Sequence, residues 1–508
     1  MKRTTLLLLV LSIAIVAVML PSFGKKRTAL WLSDFPDEAS YQFPVGFLWG
    51  AASAAQHVES QQASDWTAFE LDAFEQGRTS TDPRPGYAKP GHINSLDKYS
   101  EEVRRKKTNY DEVYDQDFLL AEQMGHNAYR FSISWARLFP REGMTEPDPE
   151  GVAFYQRILD SLKQHHLMPL VSFFHFSSPQ WFWQEKNGKK GWEREDALVH
   201  YQRFVQTVLK HYGDQVNNWC TLNEPMTYVF NGYIEGVFPP LEQRSIPEVI
   251  PVIKRLLEAH ALTYRLIHEH GSSNNQQHLV GIAKHTRAFE PMRNWAPLDR
   301  VSAAAVDQAF LWDFLDAIQT GVLKVAYTDY VEEIPGLKGT QDYVGINYYG
   351  RYYVKSDLFD PGNPQFLFSD KNDPAEVTSD LGWAIYPHGF YLVLTKAYEK
   401  YGLPIYVLEN GIADHAMNDT KRQQFLVSHL REVWNAINHG GADIRGYMHW
   451  SFIDNFEWAE GFTAQFGLVK VDYDNNFQRI PKPSADIYTQ IIQSNAISDE
   501  LMRRHAQK

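Results

Sequence analysis

Eight short apolar, β-rich runs, each followed by a helical pattern, predict a single (β/α)8 barrel of the α/β class. Three observations carry this prediction. The runs are nearly continuous in apolar residues rather than alternating, as strands covered on both faces are. The β-then-α order repeats along almost the whole chain. No low-complexity segment or short repeat interrupts it. The 508 residues exceed an ordinary single domain but suit a barrel with long βα loops.

The runs lie at 43–54, 128–134, 168–176, 217–224, 278–285, 342–349, 404–409 and 443–450. Helical patterns stand between them at 119–124, 154–167, 198–212, 246–269, 391–401 and 421–439, with a last one at 484–494. Between 294 and 339 strand and loop are not separable by pattern. The segment 60–115 is polar and reads as an extended loop after the first strand, with Arg104, Arg105, Lys106 and Lys107 as a solvated basic run or a contact for acidic lipid. The stretch 356–379 reads as a second long loop. Residues 28–496 are expected to form the barrel domain, with 497–508 a polar tail.

At the N-terminus, Lys2 and Arg3 precede an apolar run from Leu6 to Leu20 that only Ser12 interrupts. Such a run suits a cleaved export signal; with its flanks, residues 4–23, it also suits a retained membrane anchor. The expected location is therefore exported or membrane-anchored, through residues 1–27.

The net charge of −13 argues against a nucleic acid partner. Cys220 is the single cysteine, so no internal disulfide forms, and its apolar setting reads as a small buried hydrophobe. No CxxC, HExxH or metal-ligand spacing is present, and no cofactor or metal is expected.

The chemistry lies at the strand ends, which converge on one face of a barrel. They carry Gln56 and His57, Arg130, His175, Asn223 and Glu224, His285, Asn347 and Tyr349, Glu409, and Trp450. Two glutamates at one mouth suit glycoside hydrolysis, one as proton donor and the other as nucleophile or as base for water. Arg130 is a permanent cation suited to keeping a neighbouring glutamate ionised, and Tyr349 can donate to it. Asn223, beside Glu224, suits a sugar 2-hydroxyl.

Six motifs then identify a family. They are Phe47-Leu48-Trp49-Gly50, the run from Tyr129 to Trp135, Thr221-Leu222-Asn223-Glu224-Pro225, the run from Gly345 to Tyr349, Glu409-Asn410-Gly411, and the run from Trp450 to Trp458. With these the chain resembles glycoside hydrolase family 1, the retaining β-glycosidases, from Phe43 to Ile491. The resemblance implies Glu224 as acid/base and Glu409 as nucleophile. It places His175, Asn223, Asn347, Tyr349, Trp450, Glu457 and Trp458 around the first sugar. It implies hydrolysis of small β-glucosides or β-galactosides. His57 stands where the family has a Gln that holds sugar hydroxyls, Ser177 where it has Asp, and Gln465 where it has Arg. These departures, the leader and the basic run resemble a branch of membrane-tethered galactolipid galactosyltransferases. There a sugar hydroxyl replaces water as the acceptor, so a glycolipid transglycosylase is the alternative reading.

Overall fold

The computed structural model describes residues 32–79, 89–326, 328–358 and 364–506. Its centre is a closed barrel of eight parallel strands: β1 Leu48–Ala52, β2 Ala128–Ser132, β3 Met168–Phe174, β4 Asn218–Asn223, β5 Leu279–Pro291, β6 Val344–Lys355, β7 Ile405–Asn410 and β8 Ile444–Trp450. Each strand pairs with its neighbours in sequence. β8 returns to β1 through Gly446 opposite Leu48, and β5 meets β6 through Ala283 opposite Gly345. The predicted barrel is therefore the observed one.

The outer helices include α1 Tyr110–Gln123, α2 Pro149–Gln164, α3 Ala197–Tyr212, α4 Ile246–Asn274, α5 Asp313–Thr320, α6 Pro387–Tyr401, α7 Thr420–Asn438 and α8 Pro483–Ser494. Their starts are written locally. Asp148 accepts from the Gly151 N–H ahead of α2, whose first residue is Pro149. Ser245 and Glu248 form a capping box on α4, and Asn275 ends it in the left-handed region. In α3, Tyr201, Phe204, Val205, Val208, Leu209 and Tyr212 are buried at helical spacing. Such side chains contribute roughly 1.5–3 kcal/mol each on full burial.

The barrel lumen is packed below the mouth by Leu170, Cys220, Ala283, Tyr343, Tyr406 and Leu408. Cys220 is indeed a buried hydrophobe. Close approach at the mouth depends on Gly411, where an added Cβ would lie 1.7 Å from the Trp450 carbonyl oxygen. Only glycine lets the chain after Glu409 pass the end of β8.

Several segments differ from the sequence expectation. The supposed loop 60–115 contains helices Asp65–Glu75 and Glu101–Lys106 and the start of α1. Its helix starts are marked by Ser64 and Ser100, which accept from the Thr67 and Val103 N–H groups. The basic run is not uniformly solvated. Lys107 is fully buried, paired with Glu70 and set over the Phe456 ring, while Arg104 stacks on Phe74 at 3.7 Å. Lys106 pairs with Glu102, which leaves Arg105 as the exposed member. Polarity misled here because these cations end a short helix that packs on apolar rings.

The stretch 294–339 is helical, with Pro297–Val306 preceding α5, and closes with a small ribbon of Val322–Lys324 and Val331–Glu333. In the second supposed loop, Gln365–Leu367 pairs antiparallel with Tyr353–Lys355. β5 and β6 run on together past the barrel, with Ala288–Pro291 beside Arg351–Val354. The expected polar tail is structured over its described residues, 497–506. Ala496–Ser498 pairs with Ser40–Gln42, and Leu501 and Met502 are buried. Asn495 joins this clasp to the base of β1, accepting from the Trp49 indole at 2.8 Å and donating to the Phe43 carbonyl at 2.9 Å. The apolar leader lies outside the described residues. Among the described residues no helix is long and apolar enough to cross a membrane.

Candidate active site

Glu224 follows β4 directly and sits in the left-handed region, φ 45° and ψ 56°, with Pro225 opening a short helix behind it. A non-glycine residue in this conformation is costly and is kept where the surroundings demand it. The turn brings the carboxylate against β5 and β6. Asn347 Nδ2 donates to Oε1 at 2.7 Å, and the His285 Nδ1 contact to Oε2 is 2.9 Å.

Glu409 lies near the end of β7, in register with Asn347. Arg130, from β2, donates to Oε1 at 2.5 Å, and the Tyr349 hydroxyl to Oε2 at 2.7 Å. Tyr349 and Asn347 share one face of β6 because they are two residues apart on a strand. Thus β6 serves both carboxylates at once.

Asn223 links the two halves. Its Oδ1 accepts from Arg130 Nη2 at 2.7 Å and from Asn347 Nδ2 at 3.2 Å. Its Nδ2 donates to His175 Nε2 at 2.9 Å, so His175 carries its proton on Nδ1. That nitrogen has no hydrogen-bond partner among the described residues.

A wall of rings closes the other side. Trp450 lies at the end of β8, and its indole donates to Glu457 Oε2 at 3.2 Å. The His57 ring lies 4.1 Å from Trp458 and 5.2 Å from Trp450, centroid to centroid. His175 stands 5.9 Å and 5.8 Å from the same two rings. His57 belongs to a helical turn, Ala55–Val58, and is fully buried, with Nδ1 3.8 Å from Glu457. Gln56, by contrast, turns away into a network with Ser64 and Glu70.

The electrostatics fit acid–base work. Burial raises Glu409 to about 7; Arg130 opposes this and the charge of Glu224 adds to it. Burial also acts on Glu224, while the hydrogen bonds from His285 and Asn347 favour its charged form. Two such neighbours titrate as a pair, so below about 7 they share a proton. Arg130 lies against Glu409 alone and favours its charged form. Burial itself keeps His285 and His175 below their usual range, hence neutral. It raises Glu457 well above the carboxylate range, which makes it a donor as well as an acceptor. One ionised carboxylate, one shared proton and a ring wall are what glycosyl transfer needs.

The eleven residues given a catalytic or sugar-binding role from the sequence meet at one mouth: His57, Arg130, His175, Asn223, Glu224, Asn347, Tyr349, Glu409, Trp450, Glu457 and Trp458. Sequence reasoning noted His285 as a strand-end residue but gave it no role, and it missed Arg287 entirely. The signal for His285 was its place as the polar end of an apolar run, whereas Arg287 lay two residues beyond the expected end of that run. Elsewhere, Glu142, Asp196 and His200 come together among the described residues, but Arg194 and Lys186 already pair with those acids.

The pattern of "Glycosyl hydrolase family 1" matches residues 39–497. The chain is 31% identical to Beta-glucosidase A of Thermotoga maritima, over 90% of this chain and 99% of that protein. It is 32% identical to a Beta-galactosidase of Saccharolobus solfataricus, over 77% of this chain and 85% of the relative. Among solved structures, a beta-glycosidase from Pyrococcus horikoshii superposes with a TM-score of 0.78 at 34% identity, covering 92% of this chain and 99% of that one. With a family match over most of its length and relatives above 30% identity, the chain belongs to glycosyl hydrolase family 1.

Proposed function

We propose that the protein is a retaining β-glycosidase that hydrolyses O-linked β-glucosides and β-galactosides through a covalent glycosyl-enzyme. The observation that carries this reading is the unequal support of the two carboxylates. Glu409 receives a guanidinium and a phenol, whereas Glu224 receives an amide and a neutral imidazole. Glu409, kept charged, attacks the anomeric carbon while Glu224 protonates the departing oxygen. Glu224 then takes a proton from water, which attacks the same carbon and frees Glu409. Asn223, through the second hydrogen on Nδ2, and His175, through Nδ1–H, are left as donors for a sugar hydroxyl. Trp450 and Trp458 offer ring faces to the sugar, and Glu457 lies within reach of its distal hydroxyls.

The test is covalent trapping. A 2-deoxy-2-fluoro glycoside with a good leaving group should leave its sugar on the peptide that carries Glu409. A label on any other residue, or none, overturns the reading.

A second reading concerns where the enzyme works. Leu32, the first described residue, packs against the cluster of Ile385, Ile412 and Phe425, three residues along the chain from Glu409 in the case of Ile412. A membrane anchor upstream would therefore hold the mouth near the lipid surface, which favours glycolipid substrates and, in place of water, a second sugar as acceptor. Incubation with a galactolipid distinguishes the outcomes: oligosaccharide-bearing lipid supports transfer, and free galactose alone overturns it.

A further inference from the structure

Arg287 is a cation that the chemistry above does not use. It lies on β5 two residues beyond His285, on the same face of the strand, and is 1% exposed. Its guanidinium carbon stands 4.3 Å from the ring centroids of both Tyr352 and Trp383. Nη1 makes no hydrogen bond, and among the described residues no carboxylate forms an ion pair with it. Other buried arginines here differ: Arg130, Arg422 and Arg479 each hold an acid. A buried cation without a counter-ion is expensive, so its presence asks for a return elsewhere.

The return lies in its one polar contact among the described residues. Arg287 Nε donates to His285 Nε2 at 3.0 Å. A guanidinium can only donate, so Nε2 is the bare nitrogen. The imidazole proton is thus on Nδ1 and is donated to Glu224 Oε2 at 2.9 Å. We propose that Arg287 is a positioning residue for the acid/base: through His285 it fixes one imidazole tautomer and holds an uncompensated cation two hydrogen bonds from Glu224. This rests on the reading of Glu224 as acid/base.

Two consequences follow from the geometry. His285 cannot take a second proton without setting two donors against each other, so it does not compete with Glu224 for the proton that the reaction moves. The fixed charge also offsets the acids that face Glu224. Those are Glu409 from β7, whose charge favours a protonated Glu224, and Glu457 beyond β8, which burial holds in its neutral form. Lys284, buried on β5 with Nζ on the His285 carbonyl at 2.9 Å, is pushed down to about 7 by burial and adds its charge to that of Arg287 only below that value. Arg130 from β2 is already paired with Glu409, and Tyr349 from β6 donates to that same carboxylate. Arg287 therefore keeps the proton on Glu224 loose enough to leave in the first half-reaction.

The experiment compares Arg287→Met and Arg287→Gln with the natural enzyme on a phenyl β-glycoside, whose leaving group needs a proton, and on a dinitrophenyl β-glycoside, which does not. Arg287→Met should lose about tenfold to a hundredfold in kcat/KM on the first and less than about threefold on the second. Its basic pH limb should move up by about one unit, since a cation near the acid is gone. Arg287→Gln keeps a donor for Nε2 without the charge, so its limb should move while the leaving-group effect is smaller. Equal losses on both substrates with an unmoved limb would overturn the proposal and leave Arg287 as packing for Tyr352 and Trp383. Should Arg287→Met fail to fold by circular dichroism, an unmoved limb in Arg287→Gln overturns it alone. Glu224→Gln run alongside separates the two ideas: if that variant shows no leaving-group dependence, the acid/base reading itself fails.

Discussion

Arg130 and Glu409 stand 279 residues apart in the chain, yet meet at 2.5 Å inside the barrel, both buried. This pairing favours the charged form of Glu409 over that of Glu224. The predictions below build on it.

Removing the Glu409 carboxylate should stop the reaction. Glu409→Ala is expected to lower kcat on the order of 10⁴-fold or more, because the nucleophile and the Arg130 partner vanish together. Added azide should restore part of the rate by attacking from the vacated side, giving a glycosyl azide of inverted configuration. Proton NMR of the product reads the anomeric configuration, and near-natural rates without azide would refute the role.

Replacing the other carboxylate should have a different signature. Glu224→Gln is expected to lose about 10²–10⁴-fold on substrates with poor leaving groups and far less on activated ones. With activated substrates the glycosyl-enzyme should accumulate, since water has lost its base. Intact-protein mass spectrometry would show it. Uniform loss across leaving groups would contradict the assignment.

The pH profile follows from the shared proton. The pair holds its shared proton up to about 7. Above that value the proton is gone, Glu224 has nothing to donate, and kcat/KM should fall about tenfold per pH unit. A rate that keeps rising through pH 8 to 9 on a phenyl glycoside would contradict this.

His57→Gln tests hydroxyl recognition. The buried His57 ring forms no well-made hydrogen bond at either nitrogen among the described residues. Gln offers two donors and an acceptor where neutral His offers one of each. The substitution should shift the ratio of glucoside to galactoside kcat/KM by about tenfold, in line with about 1–2 kcal/mol per hydrogen bond gained or lost. Side-by-side kinetics on the two nitrophenyl glycosides measures it, and an unchanged ratio would show that His57 does not read the sugar.

Acid stability has its own source. Burial alone lowers His126 from 6.5 to about 3, with the Phe452 and Tyr488 rings packed edge-to-face against it. The folded state thus binds fewer protons than the unfolded state below 6.5. The contribution is intact above that value and drains away as pH falls toward 3, costing about 2 kcal/mol by pH 5. His126→Phe should flatten this decline in urea unfolding measured between pH 7 and 5. Parallel curves for variant and natural protein would refute it.

Much of this was legible because a barrel makes sequence speak locally. Near-continuous apolar runs gave the strands, and the polar residue ending each run gave the site, as Asn223-Glu224 and Glu409 illustrate. What escaped lies where polarity and burial part company. Lys107 was read as solvated, but its stem and charge are absorbed by Phe456 and Glu70. Arg287 escaped because β5 extends six residues past the expected end at 285, to Pro291. A sequence that looks like a loop carries there a strand whose side chains still face the pocket.

The clasp formed by Ser40–Gln42 and Ala496–Ser498 sets a timetable for the nascent chain. β1 needs β8 as its neighbour, and its lower end needs Asn495, so neither bond exists until the ribosome has nearly finished. At about 5–20 residues per second, the unsealed barrel waits on the order of half a minute or longer with the flank of its first strand bare. Chaperone dependence during translation, and loss of the whole molecule on premature termination before residue 495, would both trace to that late closure.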